Sequence, residues 1–201
     1  MTIRMPKFIN PKARTSTITN AFVNAIIPII VPNGPQVIEA LKQLDMSLQS
    51  ICCAYCGDAY SEWDHFRPLV VKKMPTGYIT EISNLVPSCG KCNQSKGNKN
   101  WRTWMTGNAK QSPRTRGIPD LSERVYKLER FEKWGRPQKI DFKATIVGDL
   151  WQKHWSNHEK ILSLLQESSE TAAEIATIAA KLVNEQTETT ELDKDIREEI
   201  D

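Results

Sequence analysis

The sequence lacks a hydrophobic run long enough to cross a membrane. Its longest apolar stretch, residues 21–31, includes Asn24 and Pro28, and a spanning helix needs roughly 20 predominantly apolar residues. Lys7, Lys12 and Arg14 are among the basic residues that precede this stretch, so a secretory signal is the alternative interpretation. Internal repeats and a P-loop are also missing. The sequence therefore predicts a protein that is not embedded in a membrane.

Cysteine is scarce, at five among 201 residues, which is too few for a disulfide scaffold in a chain of this length. Four of the five form two CxxC pairs, Cys53/Cys56 and Cys89/Cys92. This spacing is typical of metal binding in a reducing compartment, so we predict a cytoplasmic protein. Cys52 could replace Cys53 as a ligand, but the two-residue spacing of the second pair favours Cys53. Cys52 is then a small buried hydrophobe.

Charge is distributed unevenly along the chain. The net charge is only +3, yet residues 51–145 carry +8 and residues 146–201 carry −8. A basic middle segment suits the phosphate backbone of a nucleic acid, whereas an acidic end does not. The hydrophobic fraction of 39% is enough for one core of ordinary size. We therefore expect nucleic acid to bind around the middle of the chain.

The two CxxC pairs could surround one tetrahedral Zn²⁺ with four thiolates. The gap between them is longer than in a short zinc ribbon, so further structure is inserted between the two knuckles. The insert carries the dipeptide Asp64-His65 and Asn84, and Asn93 directly follows the last cysteine. Asn93 could be a functional residue of this motif, or it could cap a helix, because asparagine is a favoured residue at the start of a helix.

The order of these motifs is CxxC, DHxxP, NL and CxxCNxxKGN over residues 53–98. It resembles the HNH endonucleases in their zinc-stabilised ββα-metal form. The last letter of HNH is Asn93 here and not histidine, a variant that also occurs in active family members. The resemblance implies an α+β fold. Its ββα-metal HNH core would hold a structural zinc bound by four cysteines and would be surrounded by helices on both flanks.

The resemblance also implies roles for the motif residues. His65 is the expected general base, and Asp64 and Asn93 are the expected ligands of one catalytic Mg²⁺ or Mn²⁺. Asn84 would fix the loop and orient the histidine. The four cysteines would hold one structural Zn²⁺ per chain. The expected products carry 5′-phosphate and 3′-OH ends.

Elementary chemistry agrees with these roles. An imidazole with an ordinary pKa of about 6.5 is largely neutral at pH 7 and can accept a proton from water. Oxygen donors from a carboxylate and an amide favour Mg²⁺ or Mn²⁺ over zinc. We therefore predict a metal-dependent endonuclease acting on double-stranded DNA. The alternative outside the enzymes is a catalytically silent zinc module that binds nucleic acid.

Among nucleases, we favour a sequence-specific, type II-like restriction enzyme. The motif has flanks with room for sequence-reading and dimerisation elements, and these flanks hold no fused helicase or methylase. A homing, phage or nonspecific HNH nuclease is the alternative. We expect a homodimer, because an apolar stripe rich in small residues runs along residues 157–183. Packing of that stripe on the body of the same chain is the competing interpretation.

The sequence predicts four consecutive segments. Residues 1–50 form an N-terminal arm and helix, and residues 51–106 form the HNH core with its zinc knuckles. Residues 107–156 form a basic loop and a helical DNA-contact region, and residues 157–201 form a long helix and an acidic, frayed tail.

Secondary structure follows from apolar periodicity and turn residues. Helices are predicted over residues 36–49, 93–105, 121–131 and 157–183. A strand is predicted over residues 63–71, and a hairpin with its turn at Thr76-Gly77 is predicted over residues 70–82. Trp101 and Trp104 are expected in the core and not as platforms for stacked bases.

Basic residues within and after the motif are the candidate DNA contacts. The candidates are Arg67, Lys72, Lys73, Lys96, Lys99, Lys110, Arg114 and Arg116. We place Lys96 and Lys99 on the outer side of the helix that follows Cys92. The loop at residues 106–119 has a second interpretation as a simple linker.

Overall fold

The computed structural model of the protein describes residues 9–145 and 149–198, with side chains described for residues 9–144 and 149–185. Its contacts divide the chain into two compact units. One is Asn20–Gly148, and the other combines Met1–Thr19 with Asp149–Asp201. Helices accompany small antiparallel sheets, which confirms the α+β class. The division into four segments stays a prediction.

The helices are α1 (Thr15–Ala25), α2 (Gly34–Gln43), α3 (Gly90–Lys96), α4 (Trp101–Met105), α5 (Leu121–Trp134), α6 (Phe142–Thr145) and α7 (Leu150–Glu198). The strands are β1 (Glu62–His65), β2 (Val70–Val71), β3 (Met74–Pro75) and β4 (Leu85–Ser88). Short 3-10 turns lie at Pro11–Arg14 and Ile82–Asn84. No helix in the described part of the chain is long and apolar enough to cross a membrane.

The central sheet joins β1 and β4 in antiparallel register, with Asp64 opposite Val86 and His65 opposite Leu85. The predicted strand at residues 63–71 is shorter in the structure, because β1 ends at His65. The backbone N–H of Phe66 then donates to the carbonyl of Asn84 at 2.8 Å. Adjacent side chains on a regular strand point to opposite faces of the sheet. Because β1 ends at His65, Asp64 and His65 can both reach one site.

The predicted hairpin is wrong in its turn. β2 pairs with β3, Val71 with Met74, so the turn is Lys72-Lys73 and not Thr76-Gly77. Both lysines have positive φ, 50° and 66°, as the two central residues of a type I′ hairpin turn require. The turn was not predicted here because both residues are lysine, whereas Asn-Gly or Asp-Gly is favoured at these positions.

The helix predicted over residues 93–105 is two helices. α3 begins after Cys89, which is its N-cap, and ends at Gly97, where φ is 48°. α4 begins after Asn100, whose side chain accepts a hydrogen bond from the backbone N–H of Thr103. Asn93 therefore lies inside α3, and the interpretation of Asn93 as a helix cap is wrong.

The core of the larger unit lies between these short elements and α5. Trp101 and Trp104 are each 2% exposed, which confirms that they are core residues. Phe66 stacks on Trp101 and meets the ring of Phe131 edge-on. The helix predicted over residues 121–131 is present as α5, which continues to Trp134.

Helix α2 is shorter than the 36–49 prediction. It begins with a reciprocal capping box between Asn33 and Gln36 and ends before Asp45, whose φ is 55°. Leu41 and Leu44 are buried as expected, whereas Leu48 is 54% exposed because it lies beyond the helix.

In the smaller unit, α7 begins seven residues before the predicted start at 157. The turn at Pro11–Arg14 packs on it, and the backbone N–H of Lys12 donates to Ser169 Oγ at 2.9 Å. Thr19 Oγ1 and His158 Nε2 are 3.0 Å apart. The N-terminal arm is therefore folded from Pro11 onward, and its first eight residues lie outside the described range. The backbone of the predicted frayed tail is helical to Glu198, and residues 199–201 also lie outside that range.

Candidate functional site

Four cysteine side chains meet at one point of the larger unit. The Sγ atoms of Cys53, Cys56, Cys89 and Cys92 all lie within 4.8 Å of one another, and those of Cys56 and Cys89 are 3.7 Å apart. A tetrahedral zinc with Zn–S bonds of about 2.3 Å separates its sulfurs by about 3.8 Å. The four thiols therefore fit one Zn²⁺ and leave no open position on it. The structure places Cys53, and not Cys52, in this cluster.

The backbone folds each cysteine pair into a tight knuckle. In the first knuckle the N–H of Gly57 donates to the carbonyl of Cys53 at 2.8 Å, and the N–H of Cys53 donates to the carbonyl of Asp58 at 2.7 Å. Gly57 has a φ of 83°, where a side chain is disfavoured. In the second knuckle, Cys89 caps α3 and Cys92 lies in its first turn.

The sulfurs perturb one another because they are crowded. Hydrogen bonds from the Cys56 and Cys92 side chains lower the pKa of Cys53 to about 3. Hydrogen bonds from the Cys53 and Cys56 side chains raise the pKa of Cys92. Only the thiolate is a zinc ligand, so zinc binding here would release the thiol protons.

Arg116 lies on the cysteine cluster, although its sequence position suggested a DNA contact. Its Nη1 donates to Cys92 Sγ at 3.3 Å, and its Nη2 pairs with the carboxylate of Asp58 at 2.8 Å. Hydrogen bonds to a ligating sulfur orient the ligand and help to balance its charge. Arg116 therefore supports the knuckle and is not a free basic side chain.

A cavity of about 230 Å³ lies beside the end of β1. Asp64, His65 and Asn93 all line it, so the structure brings together the expected base and the two expected ligands of the catalytic metal. Asn20 and Asn24 of α1 line it as well. Sequence reasoning missed the place of α1 at this cavity, because neither asparagine belongs to the HNH motif.

Thr80 holds His65 in place. Its Oγ1 lies 2.9 Å from Nε2 of the histidine. In the tautomer in which Nε2–H donates to Thr80, Nδ1 carries no proton and can accept one. Burial, helped by the Lys96 ammonium, lowers the pKa of His65 to about 4. The imidazole is therefore neutral at pH 7, as a general base must be.

The hydrogen bonds of the Asn84 side chain do not include His65, and the hydrogen-bond partner of the imidazole is Thr80. Asn84 is fully buried and closes the loop after β1. Its Oδ1 accepts from the N–H of Arg67 at 2.9 Å, and its Nδ2 donates to the carbonyls of Arg67 and Ile79 at 3.1 and 3.4 Å. The expectation that Asn84 fixes the loop agrees with these contacts.

Lys96 is completely buried, which overturns its placement on the outer side of the helix. Its ammonium lies 2.9 Å from Asp64 Oδ2 and donates to the carbonyl of His65 at 2.7 Å. Tyr55 Oη donates to the same carboxylate at 2.5 Å. Burial raises the pKa of Asp64 and lowers that of Lys96, and their mutual attraction opposes both shifts. The ion pair compensates two charges that are almost entirely removed from solvent.

Replacing Lys96 with methionine should destabilise the protein by about 3–5 kcal/mol, because it leaves the buried Asp64 carboxylate without its counter-charge. Urea unfolding in the presence of zinc measures the loss. Lys91→Met is the matched control, since Lys91 lies on the same helix and is exposed. Lys96→Met with Asp64→Asn should recover part of the loss. A Lys96→Met protein as stable as the wild type would contradict a structural ion pair.

The other basic candidates fall into two groups. Exposed side chains are found at Lys72, Lys73, Lys99, Lys110 and Arg114. The guanidinium of Arg67 is engaged within the protein, because its Nη2 donates to the carbonyls of Glu132 and Gly135 at 3.1 Å each. It also lies over the rings of Phe66 and Tyr78. Arg67 therefore holds the end of α5 and is removed from the candidate DNA contacts, together with Lys96 and Arg116.

Comparison with protein families matches residues 53–99 to the model described as HNH endonuclease. This segment is an HNH endonuclease domain. The matched residues span both cysteine knuckles, β1, β4 and α3, and the cysteine cluster fits a zinc-binding variant of the domain. Comparison of the chain with curated proteins and with solved structures finds no match. The domain supports a nuclease function.

The cavity of the HNH domain offers the donors that a catalytic cation needs. Asp64 contributes a carboxylate and Asn93 an amide oxygen, a donor set that suits Mg²⁺ or Mn²⁺. A carboxylate has about four acceptor positions, and Tyr55 and Lys96 take three of them. One position on Asp64 Oδ1 is left for a cation, so these residues fit a metal bound through few protein ligands.

Proposed function

We propose that the protein is a metal-dependent endonuclease that hydrolyses phosphodiester bonds of double-stranded DNA to 5′-phosphate and 3′-OH ends. The observation that carries this proposal is the meeting of Asp64, His65 and Asn93 on one cavity of the HNH domain. The cysteine cluster supports the same conclusion, because both knuckles flank the elements that present these three side chains.

His65 would activate the attacking water. Its neutral imidazole has one nitrogen held by Thr80, so Nδ1 receives the proton while the water oxygen attacks phosphorus. Asp64 and Asn93 would hold a divalent cation, which stabilises charge on the phosphoryl oxygens and on the leaving 3′ oxygen when bound. Burial of Asp64 beside Lys96 fixes the carboxylate in one position, which favours a preorganised site.

Conversion of supercoiled plasmid to nicked or linear DNA tests the proposal directly. We expect the purified protein to cut in Mg²⁺ or Mn²⁺ and to stop cutting when EDTA removes the cation. Sequencing the ends of the products then shows whether they carry 5′-phosphate. Intact plasmid at every metal concentration, with DNA still bound, would instead favour the catalytically silent zinc module.

Asn93 offers a test of the metal site in which no helix cap is disturbed. We expect Asn93→Ala to lose activity at low Mg²⁺ and to recover part of it at high Mg²⁺, because one oxygen ligand is gone. Asn93→Asp keeps an oxygen donor and should need less added metal than Asn93→Ala. Cleavage rates measured across a Mg²⁺ titration separate the two variants. Identical metal dependence of Asn93→Ala and the wild type would remove Asn93 from the site.

Within the nucleases, we favour a restriction-type enzyme that acts as a homodimer, because one single-metal site cuts one strand and a two-fold dimer can cut both. The second half of α7 leaves its apolar side chains exposed, with Ile175 at 62%, Ile178 at 59% and Leu182 at 55%. The first half is partly covered by the turn at Pro11–Arg14. The stripe beyond Ser169 is therefore the longest exposed apolar surface of α7 available to a second subunit, and Leu164 before it is also 60% exposed.

Light scattering of Ile175→Asp tests the homodimer. A charge in an apolar interface should yield a folded monomer that nicks one strand, whereas the wild type makes double-strand breaks. Glu174→Gln, on the neighbouring position of α7, is the control and should stay dimeric. A monomeric wild type that makes clean double-strand breaks at low enzyme concentration would defeat the idea.

A further inference from the structure

We infer that Asn20 and Asn24 of α1 bind the backbone of the DNA strand next to the bond that is cut. This inference rests on the proposed nuclease function. It starts from the composition of the cavity, which these two side chains line together with Asp64, His65 and Asn93. A strand whose scissile phosphate reaches His65 therefore passes the two asparagines.

The two amides are arranged as a pair. They are four residues apart on one helix, so they share a face, and both side chains are exposed. Asn24 Nδ2 donates to the backbone carbonyl of Asn20 at 2.7 Å. That bond sets the direction of the Asn24 amide and leaves its second N–H and its oxygen for a ligand.

The position of α1 relative to His65 is set by the chain that follows the helix. Val23 and Ile27 are buried, at 0% and 6% exposure. Beyond them the backbone N–H of Ile30 donates to the carbonyl of Thr80 at 2.8 Å, and the N–H of Thr80 donates to the carbonyl of Pro28 at 3.1 Å. Thr80 is the residue that holds His65. The end of α1 and the expected base are thus fastened to the same residue.

The side chains that line the cavity favour contact with the DNA backbone over contact with the bases. Among the side chains that line the cavity, Asp64 is the only one charged at pH 7, and Lys96 compensates its charge, so an approaching phosphodiester meets little repulsion. Amide N–H groups are common donors to phosphate oxygens. Base edges lie in the grooves and away from the phosphate that is cut. Side chains beside that phosphate therefore contact backbone oxygens first.

The test measures binding apart from cleavage. Fluorescence anisotropy with a labelled DNA duplex compares Asn24→Asp with its parent, both carrying His65→Ala so that the duplex stays intact. We expect about tenfold weaker binding, because the variant loses a donor to a charged oxygen and adds a like charge. Asn20→Ala should weaken binding by a few-fold. Asn157→Asp makes the same charge change on α7 and is expected to bind as the parent does.

Cleavage kinetics of Asn24→Asp with His65 intact complete the test. The KM for DNA should rise about tenfold while kcat changes little, with unchanged zinc content and circular dichroism. The increase should be the same for duplexes of different sequence, because backbone contacts carry no sequence information. Binding equal to that of the parent would overturn the inference, and so would a loss confined to particular sequences.

Failure of the proposed function gives a different result. In that case the wild-type protein leaves plasmid intact in Mg²⁺, whether or not it binds the duplex, and the inference falls with it. If the wild type cuts and His65→Ala cuts equally well, the assignment of the base is wrong. The anisotropy comparison, repeated in EDTA without the His65 substitution, then still decides the role of the two asparagines.

Discussion

The His65→Ala variant is expected to bind DNA normally and to cut it ~10²–10⁴-fold more slowly, the usual cost of losing a general base. The reason lies in the site: the imidazole lines the cavity, is held through Nε2 by Thr80 and is neutral at pH 7. The measurement is single-turnover cleavage of labelled duplex at saturating Mg²⁺. Binding measured by anisotropy and unfolding by urea show whether the loss is confined to chemistry.

His154→Ala is the matched control, because His154 lies on α7 in the smaller unit and not at the cavity. It should cut at the wild-type rate. A His65→Ala protein that cuts as fast as the wild type would exclude His65 as the base. An unfolded His65→Ala protein would be replaced by His65→Gln, which keeps a polar side chain of similar reach beside Thr80.

The parts of the site that were predictable are those fixed by local spacing. Two CxxC pairs fold into knuckles whatever surrounds them, and Asp64 and His65 are adjacent in the chain. The sequence therefore located the cysteine cluster and the three cavity residues that are expected to carry the chemistry, Asp64, His65 and Asn93. Asn93 follows Cys92 directly, so its place in α3 is determined by the second knuckle.

The parts that were missed depend on contacts between distant residues. Thr80 lies in a loop without periodicity, and only its pairing with the segment after α1 brings it to His65. Lys96 resembles a surface residue because it sits between polar neighbours on a short helix. Its burial follows from the position of Asp64 on the end of β1. Asn20 and Asn24 carry no pattern that distinguishes them from other polar residues on an amphipathic helix.

The strands of the HNH domain are too short to hold it together without the cysteine cluster and the core. β1 and β4 have four residues each, and β2 and β3 have two. Two-stranded pairs of this size are marginally stable at best in water. The cluster joins the loop before β1 to the start of α3, and β1 and α3 are the elements that present Asp64 and Asn93. Stability of the fold and geometry of the site are therefore expected to depend on the same zinc.

Cys89→Ser should lose the zinc and unfold the HNH domain. Structural zinc contributes on the order of 10 kcal/mol to folding, which is comparable to the whole stability of a typical domain. The substitution is well suited to isolate the metal, because Cys89 is the N-cap of α3 and serine is a favoured N-cap residue. Any loss therefore comes from the missing thiolate and not from a weakened helix.

Elemental analysis and thermal unfolding measure the effect together. The wild type should hold one zinc per chain, and Cys89→Ser should hold much less and show no cooperative transition. Cys52→Ser is the matched control, since Cys52 lies outside the cluster and should keep both the zinc and the transition. If Cys89→Ser kept full zinc, stability and cleavage, the four cysteines would not be ligands. The short strands would then need another source of stability.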